Sequence, residues 1–219
     1  MNALQDTRVV VADDHPIILL AITDTLQALP GFKVIATVGS GQELLEVLTQ
    51  QECDLVVTDL TMQQTQPDED GLRLIARLRR LYADLPIVVF TMLTNTGILH
   101  QLVQLGVTGL VGKDENLSVL ERICIRSLAG KPPCLSPGVQ ARLASVGNAP
   151  SSMRSASLLT PKELEVIRLF SRGVSLTEIA RQLSRSITTV ATQKRSAMRK
   201  LNVTTNADLV TYAHEQGLV

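Results

Sequence analysis

Between residues 8 and 130, five short apolar runs alternate with longer amphipathic stretches, and this alternation constrains the fold more than any other feature. The runs are rich in β-branched residues and lie at 8–12, 33–38, 54–58, 86–91 and 108–112. Apolar residues at helical spacing mark the stretches at 16–29, 41–51, 71–82, 96–105 and 116–129. Strands that are covered on both faces read as continuous apolar runs. The pattern therefore predicts an α/β domain with a flavodoxin-like, doubly wound, five-stranded parallel sheet.

Polar residues follow four of these runs, each at the end where its strand would finish. Asp13 and Asp14 follow the first run, Asp59 the third and Lys113 the fifth, while Thr91 closes the fourth. The carboxyl ends of parallel strands meet at one edge of the sheet, which is where open α/β folds form their sites. An Asp-Asp pair alone is often a helix-capping turn, and a single lysine is usually a surface charge. Their appearance at four separate strand ends indicates one pocket.

The predicted pocket suits a phosphoryl group on Asp59. Transfer of a phosphoryl group concentrates negative charge, which a divalent cation and fixed donors stabilise. Because Mg²⁺ prefers oxygen ligands, the predicted ligands are Asp13, Asp14, Asp59 and the backbone carbonyl of Thr61. The predicted contacts to the phosphoryl oxygens are the Lys113 ammonium and the Thr91 hydroxyl.

Charge divides the chain into two parts. Residues 1–130 contain 9 Lys and Arg against 16 Asp and Glu, a net charge of −7, whereas residues 131–219 contain 12 against 5, a net charge of +7. The asymmetry predicts an acidic module joined to one that binds a polyanion. Residues 131–157 are rich in proline, glycine and small polar residues, which predicts a linker with at most a short helix at 136–144. The second domain is then 158–219.

From residue 158 onward the pattern is helical, and two capping boxes mark helix starts. Thr160 precedes a proline and, three residues later, Glu163, while Ser175 and Glu178 repeat the box without the proline. The predicted helices are 161–172, 176–183, 187–201 and 205–216, with Ser186 before the third and Thr204 or Thr205 before the fourth. The second and third helices, joined by a short connection, predict a small all-α helix-turn-helix domain.

The third of these helices is the predicted DNA-contacting helix. No acidic residue lies between Glu178 and Asp208, whereas six basic residues do. Such a face binds DNA phosphates with salt-dependent affinity. The predicted buried stripe of the helix is Ile187, Val190, Ala197, Met198 and Leu201.

Nine of the remaining residues of this helix form the predicted surface for double-stranded promoter DNA. The predicted base contacts are Thr192, Gln193 and Arg195, since glutamine can pair with adenine and arginine with guanine in the major groove. The predicted phosphate contacts are Lys194, Arg199 and Lys200. Thr188, Thr189 and Ala191 complete the surface.

The cysteines and the N-terminus bear on the compartment. Cys53, Cys124 and Cys134 have no CxxC or CxxH spacing, so they predict thiols in a reducing compartment and neither a disulfide framework nor a zinc site. The first residues lack the charged start and apolar stretch of a signal peptide. No apolar run approaches the roughly 20 residues that span a bilayer. We therefore expect a cytoplasmic protein without a membrane partner.

Short motifs across nearly the whole chain resemble one family. Four positions in the first part of the chain resemble the receiver domain of two-component response regulators. They are Asp13-Asp14-His15-Pro16, Asp59-Leu60-Thr61-Met62, Thr91-Met92 and Lys113. Four later motifs resemble the LuxR-type helix-turn-helix of the NarL/FixJ subfamily. They are Leu159-Thr160-Pro161-Lys162-Glu163, Glu178-Ile179-Ala180, Thr189-Val190 and Lys200-Leu201-Asn202-Val203. The resemblance makes 1–130 a phosphoacceptor receiver domain, 131–157 the linker and 158–219 the DNA-binding domain.

The resemblance also implies partners. A histidine kinase or phosphotransfer protein would phosphorylate Asp59 with Mg²⁺ present, and a homodimer would bind promoter DNA. RNA polymerase and a heterodimer with an auxiliary regulator are further implied, and the most similar members control surface structures such as capsule or fimbriae. The sequence departs from the usual receiver pattern at Gln63, in the long acidic loop 63–70, at Leu110 and at Asp114.

Two other functions remain open from the residues. One is a degenerate receiver that binds a partner regulator independently of phosphorylation. The other is a Mg²⁺-dependent phosphatase of haloacid-dehalogenase type, which requires a second aspartate two positions after the first, where Thr61 stands. Under the leading interpretation the protein is not an enzyme, and its chemistry is limited to self-catalysed phosphotransfer and dephosphorylation.

Overall fold

The computed structural model describes residues 6–62, 71–130, 133–147, 159–201, 203, 205–215 and 218. Two compact units are present, one formed by residues 1–92 and 101–141 and the other by residues 93–100 and 142–219. The acidic loop 63–70, with Gln63, lies outside the described residues, as does the part of the predicted linker at 148–157. Among the described residues, the helices are too short or too polar to cross a membrane.

The sheet of the first unit is entirely parallel, with the order β2-β1-β3-β4-β5-β6. Its strands are β1 Thr7–Ala12, β2 Phe32–Val38, β3 Leu55–Thr58, β4 Ile87–Thr91, β5 Gly109–Gly112 and β6 Cys134–Leu135. The strand order reverses beside β1, as expected for the predicted doubly wound fold. The fold class is therefore confirmed.

Helices follow the strands at nearly the predicted positions. Their bounds are α1 Pro16–Gln27, α2 Gly41–Gln50, α3 Gly71–Leu81, α4 Thr96–Gln104, α5 Leu117–Leu128 and α6 Pro137–Gly147. All residues of β3, β4 and β5 are buried, which explains their uninterrupted apolar runs. At Gly109 a Cβ atom would lie 2.6 Å from the Ile123 side chain. Glycine is therefore required for α5 to approach β5 this closely.

The number of strands and the extent of the linker differ from the prediction. Cys134 and Leu135, within the predicted linker 131–157, form a sixth strand that pairs with Gly109 and Leu110. Helix α6 follows directly and extends beyond the predicted 136–144. A two-residue strand carries no periodicity, and its formation depends on the exposed edge of β5. Sequence patterning therefore did not predict it.

The second unit contains the four helices that the capping residues predict. They are α7 Pro161–Ser171, α8 Leu176–Gln182, α9 Ile187–Leu201 and α10 Asn206–Glu215. A core of Val166, Ile179, Ala180 and Val190 joins the first three. The α7 capping box is complete, because the Thr160 hydroxyl accepts from the Glu163 backbone N–H while the Glu163 carboxylate accepts from the Thr160 N–H. These caps define where the helices begin.

Candidate functional site

The predicted strand-end pocket forms at the carboxyl edge of the sheet. The Asp59 backbone N–H donates to the Ala12 carbonyl at 2.8 Å, and the Lys113 N–H donates to the Thr91 carbonyl at 2.9 Å. The strand ladder thus continues for one residue past each strand and places Asp59 and Lys113 at the edge. Thr91 itself is the buried last residue of β4.

Lys113 connects two carboxylates in this pocket. Its Nζ lies 2.6 Å from Asp13 Oδ2 and 2.8 Å from Asp59 Oδ2. The side chains are almost inaccessible, with exposed fractions of 6% for Lys113, 1% for Asp13 and 3% for Asp59. A buried ammonium between two carboxylates is a satisfied arrangement, since each charge has an opposite charge at hydrogen-bond distance.

The charges of the pocket shift one another's ionisation. Burial raises the pKa of Asp59 above its ordinary value, and the Lys113 ammonium opposes part of that increase. Burial lowers the pKa of Lys113, but the attraction of Asp59 and Asp13 outweighs it, so the Lys113 pKa is raised overall. Lys113 therefore remains an ammonium at neutral pH, where it can attract a phosphoryl oxygen.

Backbone and side-chain donors hold the carboxylates in position. The Leu60 N–H donates to Asp59 Oδ1 at 2.6 Å, and the His15 N–H donates to Asp13 Oδ1 at 2.9 Å. His15 Nδ1 also lies 2.8 Å from Asp14 Oδ1. In the sequence, His15 entered only as part of the motif Asp13-Asp14-His15-Pro16, directly before α1 begins at Pro16. Its proximity to both acids was therefore missed, although the adjacent Asp-Asp-His spelling carries a signal for it.

The donor atoms of the pocket suit a hard cation. One ligand atom each from Asp13, Asp14 and His15 lies within 4.8 Å of the others, and the Asp59 carboxylate shares Lys113 with Asp13. Carboxylate oxygens at one strand edge are the ligands that Mg²⁺ prefers. The residues therefore fit the expected ion.

The second predicted surface lies on α9. Thr188, Thr189, Thr192, Arg195 and Arg199 line its outer side, Val190 and Ala197 are buried, and Ala191 is half-buried. Ile187, predicted to be buried, is 50% exposed. The prediction was wrong because the core of this unit first reaches α9 at Val190, three residues further on.

Three residues of the predicted DNA surface have polar groups that contact other residues of the second unit. Lys194 Nζ lies 2.6 Å from Asn206 Oδ1 and 3.8 Å from the centre of the Phe170 ring, a cation–π distance. Lys200 Nζ lies 2.7 Å from Glu163 Oε2. The third is Gln193, whose Oε1 accepts from Arg185 at 3.2 Å. Helical spacing predicted the face of α9 but not these partners.

Comparison with known proteins agrees with the two-domain organisation. The family model of the response regulator receiver domain matches residues 9–124, and that of the luxR family of bacterial regulatory proteins matches residues 157–213. The transcriptional regulatory protein RcsB of Escherichia coli is 34% identical over 209 residues, which cover 95% of this chain and 94% of RcsB. Both domains are thus matched in one relative.

Solved structures of RcsB are also similar to the chain. The Salmonella enterica serovar Typhimurium protein, bound to promoter rprA in the presence of the phosphomimetic BeF3−, is 32% identical with a TM-score of 0.77, covering 94% of this chain and 98% of its own. A structure of two RcsB dimers bound to two parallel DNAs is 33% identical with a TM-score of 0.63, covering 96% and 98%. The similarity extends over both domains.

Proposed function

Since the chain belongs to the NarL/FixJ family of two-component response regulators, we propose that phosphorylation of Asp59 controls binding of its C-terminal domain to promoter DNA. The protein is a DNA-binding transcriptional regulator of this family. The observation that carries the proposed switch is the Lys113 ammonium held between the buried carboxylates of Asp13 and Asp59. A phosphoryl group on Asp59 would replace one of these two attractions with contacts to its own oxygens.

The proposed reaction is transfer of a phosphoryl group to a carboxylate. An Asp59 oxygen attacks phosphorus of a phosphohistidine on a kinase or phosphotransfer protein. The P–N bond breaks as the P–O bond forms, and the histidine leaves with its electron pair. Lys113 would balance the charge on the phosphoryl oxygens, and Thr91, the last residue of β4, would donate its hydroxyl to one of them.

Magnesium is the proposed cofactor. Asp13, Asp14, Asp59 and the backbone carbonyl of Thr61 would hold the ion, and it would neutralise charge on the transferred group. The Leu60 N–H bond to Asp59 Oδ1 restrains the carboxylate, so that it enters the reaction already oriented. Self-catalysed transfer and hydrolysis are the only chemistry that this pocket is proposed to perform.

DNA binding by α9 is the proposed output. RcsB structures contain promoter DNA and dimers, and we extend both to this chain. The positions of Thr188, Thr192, Arg195 and Arg199 on the outer side of α9 support contacts to bases and phosphates. RNA polymerase and an auxiliary regulator are proposed partners, and genes for surface structures such as capsule or fimbriae are proposed targets.

One experiment tests the switch. The chain is incubated with acetyl phosphate and Mg²⁺, and binding to a duplex of about 30 base pairs, selected by the phosphorylated chain from a randomised pool, is measured. Wild type should acquire one acyl phosphate, which hydroxylamine removes, and bind more tightly, whereas Asp59→Asn should do neither. Asp54→Asn is the matched control, because Asp54 lies just before the opposite end of β3 and pairs with Arg8.

Each remaining interpretation has its own outcome. Equal DNA binding by phosphorylated wild type and Asp59→Asn would indicate a receiver whose output does not depend on phosphate. Steady turnover of phosphate esters without DNA binding would indicate a phosphatase. If the randomised pool yields no bound duplex even at low salt, the proposed function is wrong.

A further inference from the structure

Arg185 lies in the turn of the helix-turn-helix, and the turn itself directs it inward. The N–H of Arg185 donates to the Ala180 carbonyl at 2.9 Å and the N–H of Ser184 donates to the Arg181 carbonyl at 3.2 Å. This is the Schellman hydrogen-bond pattern, and Ser184 accordingly has a positive φ of 49°. The chain reverses at Ser184 and places Arg185 between α7 and α9.

The guanidinium of Arg185 connects these two helices. Its Nη2 donates to Glu165 Oε2 on α7 at 3.0 Å, and its Nη1 donates to Gln193 Oε1 on α9 at 3.2 Å. The Arg185 and Glu165 side chains are 14% and 16% exposed. The bridge is much better shielded from water than the Arg181–Glu178 pair of the same unit, whose side chains are 77% and 38% exposed and whose attraction is therefore weakened by solvent.

The bridge also decides which end of the Gln193 amide is available. A guanidinium has only donors, so the atom that faces Arg185 must be the Gln193 carbonyl oxygen. Reading adenine requires both the oxygen and the amide nitrogen of a glutamine. The Gln193 oxygen has two lone pairs, so it can accept from Arg185 and still accept from a base. The bridge therefore fixes the orientation of the Gln193 amide and leaves its nitrogen free to donate.

We propose that Arg185 is a positioning residue and not a DNA-phosphate contact: it ties Gln193 to Glu165 and thereby sets the orientation of α9 for base recognition. The inference rests on the proposed DNA-binding function. Fixing a helix to within a small angle matters because the bases are read by only a few side chains along it. Specific binding should therefore depend on the bridge more than non-specific binding does.

Glu165→Gln separates this proposal from simple electrostatics. Removing a negative charge near the DNA should strengthen binding if Glu165 only repels phosphates. If Glu165 holds Arg185 in place, the same substitution should weaken binding to the selected sequence. The two explanations therefore predict opposite signs. Glu178→Gln is the matched control, because it removes the same charge from an exposed ion pair in the same unit.

The full-length phosphorylated chain is titrated with the selected duplex and with a scrambled duplex of equal composition. Glu165→Gln should bind the selected duplex about tenfold more weakly and the scrambled duplex no more weakly than wild type. Glu178→Gln should leave the ratio of the affinities for the selected and the scrambled duplex unchanged. A Glu165→Gln variant that keeps or raises affinity for the selected duplex overturns the proposal, whereas absence of wild-type binding would instead overturn the DNA-binding function.

Arg185→Lys provides a second test, which can be used even if Glu165→Gln does not fold. It keeps the charge but cannot hold Glu165 and Gln193 together with a planar fork. A positioning role predicts weaker discrimination between the two duplexes and an unchanged dependence of affinity on salt. Preserved discrimination in Arg185→Lys overturns the proposal. In Arg185→Gln, a drop of about 0.9 in the slope of log affinity against log salt would mean that Arg185 neutralises a DNA phosphate, and it would also overturn the proposal.

Discussion

Lys113 Nζ lies 2.8 Å from Asp59 Oδ2 across 54 residues of sequence, and the same ammonium lies 2.6 Å from Asp13 Oδ2. One cation thus connects the ends of three strands, β1, β3 and β5. The side chains of Lys113, Asp13 and Asp59 are nearly inaccessible to water, so their charges interact more strongly than those of surface ions do. This relationship underlies the first prediction.

Lys113→Met should destabilise the receiver unit by about 2–4 kcal/mol in metal-free buffer at neutral pH, because two buried carboxylates lose their shared counter-ion. Urea unfolding followed by circular dichroism measures the change. Lys33→Met, at an exposed position on β2, should alter stability by less than about 0.5 kcal/mol. Equal effects of the two substitutions would contradict the importance of the ion pair.

Glu163 should make the second unit sensitive to acid. Its burial alone would raise its pKa, but hydrogen bonds from Lys200, Thr160 and Ser196 outweigh burial and lower the pKa to about 2. A depressed folded-state pKa contributes stability that is present above the unfolded value near 4.3 and is lost as pH falls towards 2.

Denaturant unfolding of wild type and Glu163→Gln between pH 7 and pH 2.5 tests this. The free energy of unfolding of wild type should exceed that of the variant by about 2 kcal/mol at pH 7, and this difference should shrink below pH 4. Glu178→Gln serves as the control, since Glu178 belongs to an exposed pair. A difference that stays constant with pH would show that the Glu163 carboxylate charge is not involved.

Ser184→Gly should stabilise the second unit by about 0.5–1 kcal/mol. Ser184 has a φ of 49° at the end of α8, a left-handed conformation that costs a residue with a Cβ but not glycine. Thermal unfolding of the second unit within the full chain measures the gain. Ser184→Ala retains the Cβ and should bring no increase, and a rise in its melting temperature equal to that of Ser184→Gly would refute the explanation.

Glu115 should determine whether α6 stays formed. Its carboxylate accepts from the Ser136 hydroxyl and from the Gly138 N–H at 3.1 Å, so it satisfies donors at the first turn of α6. Glu115→Ala should cost about 1–2 kcal/mol locally, seen as faster hydrogen exchange of the Gly138 and Val139 amides. Glu121→Ala on α5 should leave those amides unchanged. Unchanged hydrogen exchange of these amides in Glu115→Ala would show that Glu115 does not stabilise the first turn of α6.

Arg199→Ala should reduce the salt dependence of DNA binding, because Arg199 is exposed on α9 and is predicted to neutralise a phosphate. The slope of log affinity against log salt should fall by about 0.9 when one phosphate is no longer neutralised. Lys194→Ala should leave the slope nearly unchanged, since its ammonium already lies against Asn206 and Phe170. A smaller slope in Lys194→Ala but not in Arg199→Ala would mean that Lys194, and not Arg199, neutralises the phosphate.

Much of the fold and of the acidic pocket could be predicted from the sequence because both follow from local rules. A parallel strand ends where its apolar run ends, so Asp13, Asp59 and Lys113 could be assigned to one edge without coordinates. The N-caps Thr160 and Ser175 could be assigned in the same way, since capping involves residues three positions apart.

The tertiary structure decided what depends on partners distant in the chain. The strand at Cys134 exists because β5 offers it an edge, and α6 is capped by Glu115 from another loop. Helical spacing placed Gln193 on α9, but only packing brought Arg185 between it and Glu165. The sequence by itself determined the elements and the chemistry at their ends, because period and capping are local. Which polar groups can meet DNA was decided by the three-dimensional arrangement, because a hydrogen bond depends on distance in space and not on separation along the chain.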